Sequence, residues 1–257
     1  FDEDAEELEI IELENEKYEM FSRVAYSEVI KDKLSGVNVS IIETNDDYIY
    51  SGVGKTLEMA GANVRSIITI KDKFLNEELL RECYKSYLDE EAELSKIVVG
   101  DAVRDLSNTI ITGEHNEVIN DFNEKGLINI VGDIDEPIDY IIIAGGSEKE
   151  DVERINHLDR SIIDNCKKLE VPIIGVEKTK VGFSYTGQYK EHRVSTVDNV
   201  DTIIGKVSLV LAMEGRPGYY GVKANAESLL PDTNNTILEW GDNNAWKKKS
   251  CWCCTCF

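Results

Sequence analysis

Two stretches hold residues whose types and spacing could do chemistry. The chain closes in C-W-C-C-T-C-F, which sets four thiols, Cys251, Cys253, Cys254 and Cys256, within six residues. Soft thiolates favour Cu(I) and Zn(II), so this tail is a candidate metal-ligand set. Its C-x-C-C-x-C spacing is tighter than that of ordinary zinc sites, and Trp252 and Phe257 would have to fold outward from an ion. Intermolecular disulfides in an oxidising setting are the competing reading. The other two cysteines, Cys83 and Cys166, stand alone in helix-like surroundings and read as small buried apolar residues.

The second stretch, S-G-V-G-K-T at residues 51–56, ends like a nucleotide-triphosphate loop. Such a loop needs a glycine five residues before the glycine of G-K-T, and Ile49 stands there, between Tyr48 and Tyr50. Glycines let successive N–H groups turn inward around a phosphate. Two tyrosines behind Asp46 and Asp47 provide neither that freedom nor a positive field. No strand ends in an aspartate convincingly placed for magnesium: D-Y-I-I-I-A-G-G (139–146) ends in glycine, and I-N-I-V-G-D (128–133) is a weak substitute. The expectation is that Gly52 and Gly54 loosen the chain before a helix that begins at Lys55 and Thr56. The dinucleotide pattern G-x-G-x-x-G fails too, with Leu57 in place of its third glycine. Gly145 and Gly146 fall where open α/β sheets bind ligands, beyond the carboxyl ends of the strands. The acidic Glu148, Glu150 and Asp151 that follow would repel a phosphate. That leaves a small polar-ligand pocket or plain turn chemistry at these glycines. His115, His157 and His192 lie far apart, and no G-x-S-x-G elbow is present. No catalytic residue is assigned, and a non-enzyme is expected.

The elements that would position these residues alternate along the chain. Strand patterns at 37–43, 63–70, 139–146 and 171–177 are interleaved with helical ones at 52–60, 76–87, 91–106, 151–169 and 200–213. Almost wholly apolar central strands indicate a parallel sheet covered on both faces. The fold class expected is α/β, a three-layer Rossmann-like domain with a mostly parallel sheet behind an N-terminal helical stretch, single or coiled-coil. Residues 1–20 hold ten Asp or Glu and one Lys, with Leu8, Ile11, Tyr18 and Phe21 spaced roughly as one helix face. A second helix is expected to follow from Ser22. The organisation read is 1–34 acidic stalk and lead-in helix, 35–213 Rossmann-like domain, 214–246 coil on the domain and 247–257 Lys/Cys-rich tail.

With 50 acidic against 28 basic residues, the formal net charge of −22 excludes nucleic acid as a partner, because phosphate binding needs a basic face. No run approaches the roughly 18 apolar residues of a membrane span. The opening Phe1 before an acidic run suggests numbering that starts inside a longer chain, whose anchor is then missing.

The most informative stretch runs from Arg193 to Pro231: V-S-T-V-D-N-V-D-T before a helix, G-Y-Y-G after it, and a short coil closing in L-L-P. With Y-E-M-F-S-R-V-A and A-G-A-N-V earlier, it resembles the bacterial copper-transporter family, MctB-like and SteB-like, over roughly residues 15–231. The resemblance implies a cytoplasmic start, one membrane helix, a coiled segment and an extracytoplasmic α/β domain. It implies roles in copper tolerance or in the cell envelope, with no catalytic residue to carry over. The function expected is a non-enzymatic, membrane-anchored envelope domain acting through protein partners or homo-oligomer assembly by its helical stalk. Copper handling and a small-molecule-binding or enzymatic domain are the alternatives. By residue chemistry, Asp198 or Asp201 is expected to cap the helix after an edge strand, and Tyr219 and Tyr220 to cover the sheet margin. Asp198, Tyr219 and Tyr220 are the partner or ligand candidates, beside Gly145 and Gly146.

Overall fold

The computed structural model describes residues 2–231 apart from 89–93, 95 and 97, and the side chains of 2–6 also lie outside it. The thiol tail at Cys251, Cys253, Cys254 and Cys256 and the coil beyond Pro231 therefore fall outside the described residues.

Helix α1 (Asp2–Ile30) is continuous, where the sequence suggested two helices. Among the described residues, seven strands form one sheet in the order β3-β2-β1-β4-β5-β6-β7. These are β1 (Asn38–Glu43), β2 (Asn63–Ile70), β3 (Ile128–Gly132), β4 (Tyr140–Ala144), β5 (Ile173–Val176), β6 (Ser195–Val197) and β7 (Tyr219–Tyr220). All neighbours are parallel except β3, which runs antiparallel to β2 at the edge. The central strands β1, β4 and β5 are buried nearly throughout, because helices cover both faces and no polar alternation is needed.

One face carries the end of α1, α2 (Ser51–Met59) and α8 (Ile203–Met213), whose Leu57, Leu209 and Met213 pack on Val39, Ile41 and Ile142. The other carries α3 (Glu77–Tyr84), α4 (Val99–Thr112), α5 (Glu117–Glu124), α6 and α7 (Thr186–Glu191). α6 begins as Val152–Arg154, passes through a π turn at Ile155–Asp159 and continues as Arg160–Lys168. Cys83 and Cys166 are fully buried on this second face, as their isolation suggested.

Three local expectations are corrected. The helix read at 52–60 runs from Ser51 to Met59, so Gly52 and Gly54 lie inside α2 and do not loosen the chain before a helix at Lys55. β6 is not an edge strand, because β7 pairs beyond it within the stretch read as coil. The cap of α8 is Thr202, whose hydroxyl accepts from the Gly205 N–H at 3.0 Å; Asp198 and Asp201 bond elsewhere.

Candidate functional site

Strand order reverses between β1 and β4, so the crevice beyond their carboxyl ends is where a sheet of this kind binds ligands. The chain's own side chains fill it. Residues 44–50, leading from β1 into α2, lie across the glycine turn after β4. Asn45 Nδ2 donates to the Gly146 carbonyl at 2.9 Å, and the Tyr50 hydroxyl donates to the Gly145 carbonyl at 2.6 Å. The tyrosines that spoil a phosphate loop thus close over Gly145 and Gly146. On the other side, the rings of Tyr185 and Tyr189 lie flush on Gly145, and a Cβ there would run into the Tyr189 hydroxyl.

The residue just before α2 is held by a carboxylate at the end of β1. Glu43, ending β1, accepts from the Tyr50 N–H at 3.0 Å and from the Thr69 hydroxyl at 2.6 Å.

Beneath the glycines lies a cluster that sequence reasoning missed. Arg154, 1% exposed, donates to the Thr44 carbonyl at 2.5 Å, to Asp151 at 3.2 Å and to Asp72, clasping the ends of β1 and β2 to the start of α6. Asp159 is wholly buried one π turn later and accepts from the Tyr189 hydroxyl. Burial pushes its carboxyl up to about 7, against the lowering pull of Tyr189, Thr44 and Arg154. Asp159 Oδ2 and the Tyr185 hydroxyl complete no hydrogen bond of good geometry, though Thr44 lies close enough to Asp159, and Ser147 to Tyr185, to favour the charged forms. Burial raises both tyrosines above the usual phenol range, and the Asp159 charge raises them further. A signal for this cluster existed. Asp159 sits in the apolar stripe Ile155, Leu158, Ile162 and Cys166, where an acid is out of place.

Glu177, immediately after β5, is the second buried hub. It accepts from Lys223 Nζ at 2.6 Å, from the Ser184 hydroxyl at 2.7 Å and from the Tyr185 N–H.

The remaining sequence candidates gather at the β6–β7 margin, joined to the glycine turn through Lys223 and Glu177, whose carboxyl carbon lies 3.5 Å from where a Gly146 Cβ would stand. Asp198, 1% exposed, accepts from the Val222 and Lys223 N–H groups at 2.7 and 2.9 Å. Gly221, at φ +137°, brings the turn so close that a Cβ would overlap the Asp198 carboxylate. The Tyr220 hydroxyl donates to the Arg216 carbonyl at 2.9 Å, and Lys190 sits 4.6 Å from the Tyr219 ring centre. Asp201 accepts from the Thr179 N–H and hydroxyl at 2.7 and 2.8 Å. On α8, Ile204 is exposed, whereas Leu209, Val210 and Met213 are buried. His157 faces outward to Glu153 at 3.0 Å, not to Asp159.

No group of three His, Cys, Asp or Glu among the described residues is placed to hold a metal ion. Met20 and Met59 are exposed on different helices, and Met213 is buried.

The family model described as copper transport outer membrane protein, MctB, matches residues 2–231, the whole span from α1 to the coil after β7. The chain belongs to the MctB family. No curated protein matches it. In this MctB-family chain the family-like stretch 193–231 builds β6, α8 and β7, and its Asp198, Thr202 and Gly221 each have a structural task there. No helix among the described residues is long and apolar enough to cross a membrane.

Proposed function

We propose that this MctB-family chain is the extracytoplasmic, non-enzymatic part of a membrane-anchored envelope protein, a Rossmann-like scaffold working through protein contacts made by α1. The observation that carries this reading is a contrast between two surfaces. The ligand crevice is filled by Tyr50, Tyr185 and Tyr189. By contrast, Leu8, Ile11, Tyr18 and Phe21 stand exposed along α1. Apolar side chains on an otherwise acidic helix mark a contact surface more readily than a solvated spacer. Membership of a family of membrane-associated transport proteins supports the anchored, extracytoplasmic placement.

A photo-crosslinking residue at Tyr18 in the anchored protein tests the reading in intact envelopes. A discrete adduct identified as another envelope protein, or as a second copy, is expected. Failure to form any adduct, together with copper bound stoichiometrically by the domain, would overturn it.

The family's description favours a second reading, copper handling, with Cys251, Cys253, Cys254 and Cys256 as the soft ligands for Cu(I) or Zn(II).

A further inference from the structure

The reading of α1 as a contact element leaves two occupants, a second copy or a different protein, and the charges beside its apolar seam choose between them. Residues 7–21 of α1 are all exposed, a stretch of roughly 22 Å at 1.5 Å per residue. Leu8, Ile11, Asn15 and Tyr18 follow the 3-4 spacing of coiled-coil a and d positions. The flanking g and e positions from 7 to 19 are then Glu7, Glu12, Glu14 and Glu19, with Phe21 at the next g and Ile10, Leu13 and Met20 exposed outside the seam. In a parallel pair of identical helices, Glu7 faces the partner copy at position 12 and Glu14 at position 19. In an antiparallel pair, e meets e and g meets g, again glutamate against glutamate. Both orientations of self-pairing oppose like charges along the whole exposed seam. The helix has little support of its own either: in this stretch only Glu19 finds a cation, Arg23, at 3.3 Å, while Glu12 and Glu16 repel one turn apart.

We propose that α1 docks a basic amphipathic helix of another protein, with Lys or Arg flanking an apolar seam and a polar residue opposite Asn15. Asn15 sits at an a position, where a polar side chain fixes register and favours two strands. The proposal rests on the protein-contact reading above and narrows it to a heterotypic partner.

Two synthetic peptides test it against the full 257-residue chain under reducing conditions. One carries leucines at a and d, an asparagine opposite Asn15 and lysines at e and g; the other is its scrambled counterpart. Fluorescence anisotropy is expected to show the heptad peptide binding at least about tenfold more tightly than the scrambled one, and less tightly as salt rises. Sedimentation of the native chain alone is expected to show a monomer. The variant Glu12→Lys/Glu19→Lys turns the seam self-complementary, because its lysines face Glu7 and Glu14 of the other copy. It is expected to dimerise and to lose about tenfold or more of its affinity for the basic peptide. A native chain that dimerises through α1, or that treats the two peptides alike, overturns the proposal. If the Tyr18 crosslinker still captures another envelope protein in that case, the proposed function stands and only the basic helix falls.

Discussion

Asp159 carries the clearest residue-scale consequence, because its carboxyl is held in the core with one oxygen on Tyr189 and the other without a well-formed bond. Its ordinary value of 3.8 is raised to about 7 by burial. Between those values the folded chain binds a proton that the unfolded chain has released. Stability from this group is therefore complete below about pH 4 and lost as pH rises through about 7. Thermal midpoints measured across that window should fall with pH in the native chain, and the contribution should vanish in Asp159→Asn. Tyr189→Phe removes the hydroxyl that donates to Asp159 Oδ1 and should cost about 1–3 kcal/mol in urea unfolding. Neither residue was singled out from sequence for this role. Asp159 breaks an apolar helical stripe, but periodicity alone cannot say whether such an acid is buried or whether the helix rotates it outward. The π turn at Ile155–Asp159, which sets the phase, leaves no compositional trace.

At the scale of elements, legibility followed length and neighbourhood. β2 was read at its observed bounds, Asn63–Ile70, because an eight-residue β-branched run follows the Gly61 turn. β7 escaped because a two-residue strand, Tyr219–Tyr220, has no period to detect. Side chains brace it beside its pairing with β6: Asp198 gathers the N–H groups of Val222 and Lys223, and Lys223 reaches back to buried Glu177. The sequence did single out Asp198, Tyr219 and Tyr220, although as partner or ligand candidates, and each has a local partner in the fold. Gly221→Ala should push the turn off Asp198 and cost roughly 1–3 kcal/mol. The change should be seen as faster amide exchange across residues 219–228, with β1 and β4 unaffected. Lys223→Met leaves Glu177 buried without its cation and should cost about 3–5 kcal/mol in the same unfolding assay. Both effects are expected at the β5–β7 margin, far in the sheet order from the β3 edge.

For the whole molecule, a formal charge of −22 opposes compaction through self-repulsion. Raising ionic strength from about 0.01 M to about 0.15 M shortens the screening length from roughly 30 to 8 Å and should raise the thermal midpoint. The copper reading makes a separate prediction. Elemental analysis of the reduced chain should find Cu(I) at stoichiometric level, lost when residues 247–257 are removed. Retention by the shortened chain would instead place a site inside the fold. One consequence of the architecture concerns mechanics. α1 is tied to the body by Tyr26 on Thr56 at 2.9 Å, and the short turn that leads from it into β1 is tied by Lys33 on Glu214 at 2.7 Å. β1 is clamped in parallel register by β2 on one side and β4 on the other. A pull on the helix is therefore delivered along the strand at the middle of the sheet, where two ladders must shear together before anything slides. The connection at residues 31–36 shares that load, because Leu34 is fully buried and the N–H groups of Leu34 and Gly36 donate to the Ala60 and Gly61 carbonyls at 2.8 and 3.1 Å.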